Sequence, residues 1–298
     1  MLQWKPKILS ISTRTILFVA FLAIYLSSCS NETLPEKPLI PAHPINRLAE
    51  AQLLVNHPIE VVVHRGANHL APENTYAASA RAIELGVDYV EIDVHRSWDG
   101  VHYLMHDMTL GRTTDGWGFI FLRTSTYMDG LDAGSWFSKQ YAGEPIPRLD
   151  QYLQWIKGKA KVYLDVKTGD LAEIVALIRE LGMEEEVFFW FWNTQKARKL
   201  KELAPAIGLK INAATPAEVR KAKAQHQATI IECEVGQLTA ELGQTCRELG
   251  IRLMVYAQHN TREEYEAIIR SPADLVNLDR PELYLQVLDS LHRHKVTE

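Results

Sequence analysis

EIDVHRSWDGVHYLMHD, residues 91–107, sets two carboxylates two positions apart, a turn signal and a His-Asp pair within one short stretch. Its opening completes DYVEIDV (88–94), a near-continuous apolar run of strand length. Such runs are buried on both faces, as in a parallel sheet covered by helices. SWDG (97–100) then signals a hairpin into a second short run, VHYLMH (101–106).

Working outward, the same kind of run recurs at IEVVVH (59–64), KVYLDV (161–166), EVFFWFW (186–192), IGLKIN (207–212), ATIIEC (228–233), RLMVYA (252–257) and DLVNL (274–278). Helical patterns such as GDLAEIVALIRELG, TPAEVRKAKAQ and PELYLQVLDSLHR lie between them. Strands that alternate with helices predict a parallel sheet closed into a (β/α)8 TIM barrel. A doubly wound open sheet is the alternative, because periodicity does not report closure. One unit breaks the rhythm: residues of about 107–147 are rich in Gly and aromatics and lack a clear period. They read as a small insertion after the second strand, on the face where barrels carry functional loops.

The chain has 298 residues, 47% hydrophobic and 23% charged, with a net charge of −5, so a basic nucleic-acid footprint is absent. Lys5, Lys7 and Arg14 precede an apolar run over residues 16–26 that is too short to span a bilayer comfortably. LSSC (26–29) follows and resembles the lipobox of bacterial lipoproteins, in which the cysteine, here Cys29, is lipidated. Pro35, Pro38, Pro41 and Pro44 recur every third residue, the pattern of a polyproline II spacer. Such a spacer reaches about 50 Å over residues 29–46. The expected organisation is a signal peptide at 1–28, a lipidated and Pro-rich tether at 29–56, and a barrel at 57–298. That places the protein in the bacterial cell envelope, anchored to a membrane through Cys29. Cys233 and Cys246 have no zinc spacing and read either as buried thiols or as a pair.

Residues two apart on a strand share a side, so Glu91 and Asp93 project together at the end of the second strand. Asp165 and Lys167 do the same after the third, His64 and Arg65 follow the first, and His106 with Asp107 ends the inserted hairpin. Converging carboxylates repel unless a cation sits among them, and an all-oxygen set suits a hard divalent ion such as Mg2+ or Ca2+. Arg65 and Lys167 favour an anionic substrate, and two histidines can exchange protons near neutral pH. The combination suits cleavage of a phosphate ester. Asn74, in PENT, reads as a helix N-cap, and Asp107 either as an orienting partner of His106 or as a turn cap. His95 reads as structural, and Trp190 and Trp192 either as core or as walls of the barrel mouth.

These residues resemble the glycerophosphodiester phosphodiesterases, and the bacterial lipoprotein-type members in particular. The likeness runs from HRGANHLAPENT (64–75) through EIDV (91–94), MHDMTLGRTTDGWG (105–118) and LDAGSWFSKQYAGEPIPRL (131–149) to LVNLDRPELY (275–284). It implies hydrolysis of glycerophosphodiesters to glycerol 3-phosphate and an alcohol with a divalent cation. His64 and His106 would be the acid/base pair, Glu91, Asp93 and Asp165 the metal ligands, and Arg65 and Lys167 the phosphate contacts. Asp165 stands where the family usually has Glu. Tyr256 replaces a usual Trp as an aromatic wall for a glycerol-like group, and WFWNT (190–194) departs from a usual Ser-Phe. The resemblance also suggests attack by the glycerol's own hydroxyl to give a cyclic phosphate that water opens. Two alternatives remain: a phospholipase D-like or cyclising enzyme acting on lysophospholipids, and a non-catalytic phosphodiester-binding protein of the envelope.

Overall fold

The computed structural model describes residues 59–296. The expected signal peptide, Cys29 and the Pro-rich tether lie outside the described residues. The elements begin with β1 (Glu60–Val63), α1 (Tyr76–Glu84), β2 (Tyr89–Arg96), β3 (His102–Leu104), α2 (Ser125–Met128) and α3 (Leu149–Ile156). They continue with β4 (Lys161–Val166), α4 (Leu171–Leu181), β5 (Val187–Trp190), α5 (Thr194–Leu203), β6 (Gly208–Asn212) and α6 (Pro216–His226). The last are β7 (Ile230–Glu234), α7 (Ala240–Glu248), β8 (Arg252–Tyr256), α8 (Arg262–Ile269), β9 (Leu275–Leu278) and α9 (Pro281–Val296).

The sheet order is β1-β9-β8-β7-β6-β5-β4-β2-β3, and β1 also pairs with β2 through Val62↔Tyr89 and Val63↔Val90. That last pairing decides between the two topologies. Eight parallel strands close on themselves as a (β/α)8 barrel, and β3 hangs antiparallel from the projecting end of β2. Helix starts are fixed locally. The Thr75 side chain accepts from the Ala78 N–H ahead of α1, Asp170 caps α4, and Thr215 with Glu218 forms a capping box at α6 with Pro216 in its first turn. The N-cap of α1 is thus Thr75, not Asn74. Asn74 adopts a left-handed φ of 57° and turns its side chain inward instead.

The strands carry two apolar layers. Val61, Val63, Val90, Ile92, Val162 and Leu164 pack outward against the helices in the main core. The intervening residues Val62, Tyr89, Tyr163, Phe188, Ile230, Met254 and Leu275 form a second buried cluster drawn from strands alone, which fills the barrel. Phe188 lies at its centre, with ring centroids 4.6 Å from Tyr163 and 5.2 Å from Tyr89. Gly208 makes room for it, since a Cβ there would sit 2.7 Å from the Phe188 Cβ. The segment after β3 has a small core of its own, built on Tyr103, Met105, Leu110, Ile120, Met128, Ala133 and Ile146.

Phe188→Ala would empty the middle of the barrel plug. Unfolding in denaturant is expected to show a loss of about 3–5 kcal/mol. A loss under ~1 kcal/mol would mean that the plug collapses to fill the gap.

Candidate active site

Stepping two residues along each strand from the apolar plug leads to the chemistry. Val62 is followed by His64, Tyr89 by Glu91 and Asp93, Tyr163 by Asp165, Met254 by Tyr256, and Leu275 by Asn277 and Asp279. All of these lie toward the C-terminal ends of the parallel strands, so they share one mouth.

Glu91, Asp93 and Asp165 are buried, and each offers one oxygen such that the three atoms lie within 4.8 Å of one another. Asp93 is the most heavily contacted. Its Oδ2 accepts from Asn74 Nδ2 at 2.8 Å and faces Arg65 Nε at 3.3 Å, while its Oδ1 faces Lys167 Nζ at 3.0 Å. Lys167 also bonds Asp165 Oδ2, and Glu91 Oε2 accepts the backbone N–H of Arg65 at 2.7 Å. The Asp165 Oδ1 atom is buried without a hydrogen-bond partner. Burial, and then the charge of Asp93, pushes the Glu91 carboxyl up to about 8. Burial also raises Asp93, but Lys167 and Arg65 outweigh it and hold that group below its ordinary value. Burial likewise raises the Asp165 carboxyl in spite of Lys167. An oxygen-only set with an orphaned carboxylate oxygen and two disfavoured anions fits a hard divalent cation. The shorter Asp at 165 still reaches the other two ligands.

The two histidines are each held by a carboxylate. His64 Nδ1 donates to Asp279 Oδ1 at 2.9 Å, and Asn68 Nδ2 steadies the same oxygen at 2.9 Å. Burial alone would lower the His64 pKa, but the Asp279 bond and the charge of Glu91 outweigh it and raise it. Burial opposes the charge of Asp279 as well, yet the His64 bond holds that carboxyl at about 2. His106 Nδ1 donates to Asp107 Oδ1 at 2.8 Å, which settles Asp107 as an orienting partner. The backbone around His106 is also fixed. The N–H of the preceding Met105 bonds the Asp93 carbonyl at 2.9 Å, and His95 Nε2 donates to the His106 carbonyl at 3.0 Å. Burial pulls His95 down to about 4, so it stays neutral and receives the Thr168 hydroxyl on Nδ1 at 3.1 Å. His95 is therefore a support under His106.

Loop geometry explains the residue types around β1. Arg65 has φ 56° and Gly66 φ 74°, and a Cβ on Gly66 would lie 2.9 Å from Ala78 backbone. HRG is thus a turn that only glycine completes, and it aims the Arg65 N–H at Glu91. Asn74 grips Asp93 twice, since its Oδ1 also accepts the Asp93 N–H at 3.0 Å. Tyr256 meets the His64 ring edge-on at 6.4 Å between centroids. Lys210 bonds Glu232 inside the barrel, and Asn277 Nδ2 donates to Glu232 at 2.9 Å. Beside Tyr256, a cavity of about 280 Å3 is lined in part by Asn212, Glu218, Glu232, Glu234 and Gln237.

The structure brings His64, Arg65, Glu91, Asp93, Asp165, Lys167 and Tyr256 to one rim, with His106 carried in by the segment after β2. Trp190 is half-buried over Lys210, whereas Trp192 lies past the end of β5 and is 89% exposed. Cys233 and Cys246 are buried free thiols. Residues missed from sequence include Asp279, which continues the β9 alternation beyond Asn277, and Glu73 with Arg112. Those last two sit in loops where no period points at a partner.

A family model for the glycerophosphoryl diester phosphodiesterase family matches residues 64–283. The glycerophosphodiester phosphodiesterase of Caldanaerobacter subterraneus subsp. tengcongensis is 31% identical over 237 residues, covering 76% of this chain and 97% of the relative. The chain belongs to the glycerophosphoryl diester phosphodiesterase family. A crystal structure of the glycerophosphodiester phosphodiesterase from Agrobacterium tumefaciens superposes with a TM-score of 0.72 at 39% identity, covering 76% of this chain and 99% of that one. An Oleispira antarctica phosphodiesterase, solved with the product sn-glycerol-3-phosphate, gives a TM-score of 0.67 at 25% identity, with 77% and 96% covered. As a member of the family, the chain is a phosphoric diester hydrolase on a TIM barrel, and its acidic triad can hold a divalent metal.

Asp279→Asn removes the anion that holds His64. In chelator, the His64 imidazole is expected to titrate at lower pH than in the parent when followed by NMR, because burial and Arg65 then face less opposition. An unmoved titration would mean that the bond to Asp279 does not set the state of His64.

Proposed function

We propose that this enzyme hydrolyses glycerophosphodiesters to glycerol 3-phosphate and an alcohol by proton exchange at His64 and His106, beside Mg2+ or Ca2+ at Glu91, Asp93 and Asp165. The observation that carries the reading is a buried acidic triad with an unpartnered oxygen on the same rim as two carboxylate-held imidazoles. The product bound by the Oleispira antarctica relative supports the choice of glycerol 3-phosphate.

Arg65 and Lys167 are both pinned to Asp93, so their positive charge is fixed before substrate arrives. They hold the phosphate, and Tyr256 walls the glycerol end. A bound cation would add charge stabilisation at a phosphoryl oxygen. One imidazole takes the proton of the glycerol hydroxyl as its oxygen bonds phosphorus. The other protonates the departing alcohol oxygen as the original P–O bond breaks. The roles then reverse, and water opens the cyclic phosphate. The preformed hydrogen bonds at both Nδ1 atoms leave each Nε2 for this exchange.

Glycerophosphocholine, glycerophosphoethanolamine, glycerophosphoinositol and lysophosphatidylcholine would be assayed with and without chelator. Glycerol 3-phosphate is expected from the first three, with activity lost in chelator and restored by metal. His64→Ala and His106→Ala should each lower kcat by roughly 10²–10⁴-fold. A cyclic phosphate that persists, or preference for the lysolipid, would shift the reading to the cyclising or phospholipase D-like alternative. Binding without turnover would leave the envelope-binding alternative.

We further propose that the enzyme is anchored in the bacterial cell envelope through lipidated Cys29. The support is the basic, then apolar, then LSSC order of residues 1–29 and the Pro-rich spacer that follows. Cys29→Ala should move the exported protein from the membrane fraction to the soluble one. Retention on the membrane would rule out the lipid anchor.

A further inference from the structure

Around the mouth, two guanidinium–carboxylate pairs interlock in a way that the chemistry above does not use. Arg112 spreads its fork over two carboxylates. Its Nη1 and Nη2 donate to Glu73 Oε2 and Oε1 at 2.9 and 2.7 Å, while its Nε and Nη2 donate to Asp107 Oδ2 and Oδ1 at 2.6 and 3.2 Å. In each carboxylate one of those oxygens also holds a site residue. Glu73 Oε1 accepts from Arg65 Nη1 at 3.1 Å, and Asp107 Oδ1 accepts from His106 Nδ1 at 2.8 Å. The path from the phosphate-facing guanidinium to the imidazole is therefore continuous: Arg65, Glu73, Arg112, Asp107, His106.

Sequence places the two ends on different pieces of the fold. Arg65 and Glu73 belong to the loop between β1 and α1, on the barrel. Asp107 and Arg112 belong to the segment that follows β3, which has its own small core. A lone surface ion pair would contribute little. This one is bidentate on both sides, and its Glu73 side chain is only 12% exposed. A lysine cannot reproduce it, because one ammonium does not span two forks.

We infer that Arg112 is a positioning residue that sets the distance between the phosphate clamp Arg65 and the proton-transfer group His106, acting through Glu73 and Asp107. The inference rests on the roles given to Arg65 and His106 under Proposed function. Displacing Arg112 frees both shared oxygens at once, so one substitution disturbs substrate holding and proton transfer together. Glu73 and Asp107 then behave as one unit and not as two independent carboxylates.

The test is steady-state kinetics on glycerophosphocholine with the metal-loaded enzyme. Arg112→Lys should both lower kcat and raise KM, for a combined loss of roughly 10²-fold in kcat/KM, the scale of a misplaced site group. A smaller active fraction would lower kcat alone. Glu73→Gln and Asp107→Asn should each lose a similar factor, and the double variant about as much as the worse single one. If the Glu73 variant does not fold, the same comparison between Arg112→Lys, Asp107→Asn and their combination decides the point. An Arg112→Lys enzyme within about twofold of the parent in both parameters, or a double variant whose loss is the product of the singles, would overturn the inference. Those outcomes with an inactive His106→Ala enzyme sink the role of Arg112 alone. An active His106→Ala enzyme takes the functional reading with it.

Discussion

The alternation of side chains along eight closed strands is the constraint from which the rest follows. Because the barrel interior takes every second residue, the positions that fill it and the positions that crown it must share parity. Here the lower interior residue of most strands is apolar and the next one up is polar or ionisable, as in Tyr89 to Glu91 and Tyr163 to Asp165. A one-residue slip of β2 would turn Glu91 and Asp93 into the helix layer, where Ile92 and Val94 now pack. The register pairs Asp93 with Asp165 directly across β2 and β4. The same ladder that holds the sheet thus brings like charges together.

That juxtaposition is stable only if the charges are shared unequally. The Asp93 carboxylate receives Lys167, Arg65 and the Asn74 amide N–H, so its ionised form is favoured despite burial. Glu91 receives one backbone N–H, and burial followed by the charge of Asp93 pushes its carboxyl up. The chain's own cations therefore favour the anion of Asp93, whereas burial keeps those of Glu91 and, despite its bond to Lys167, Asp165 disfavoured, which is where a divalent ion brings most. The two imidazoles differ in a related way. Asp279 is otherwise contacted by the neutral amides of Asn68 and Asn260, whereas Asp107 is also claimed by a guanidinium. His64 thus faces a full carboxylate charge, and the carboxylate behind His106 is partly neutralised.

What could be read in the sequence follows from which interactions have a period. Strands buried on both faces appear as apolar runs, and their ends mark the mouth, so Glu91, Asp93, Asp165 and His64 stand out without coordinates. Closure depends on the β1–β2 pairing between runs that other strands could equally have flanked, so an open sheet fitted the same pattern. Asn74 reads as a cap because Asn is a good cap by type. The next residue, Thr75, takes the cap, and the left-handed backbone at 74 sends the amide to Asp93 instead. Glu73 and Arg112 are 39 residues apart in loops, and no local rule joins them.

The segment after β2 shows why a barrel site can be completed by a piece with a separate core. Its apolar residues are few, so its placement relies on directional bonds to the barrel. Met105 N–H meets the Asp93 carbonyl at 2.9 Å, the Tyr141 hydroxyl donates to the Leu70 carbonyl at 2.8 Å, and Glu144 accepts the Ala77 N–H at 3.0 Å. Two of those three contacts reach the stretch that runs from the β1 loop into α1. The loop that presents Arg65 and the segment that presents His106 are thereby fastened to each other as well as to their own strands. Hydrophobic burial is non-directional and tolerates small sliding, whereas hydrogen bonds lose strength steeply with angle. A reacting pair split across two cores needs the second kind of attachment, and the polar stitching around Glu73, Glu144 and Tyr141 supplies it.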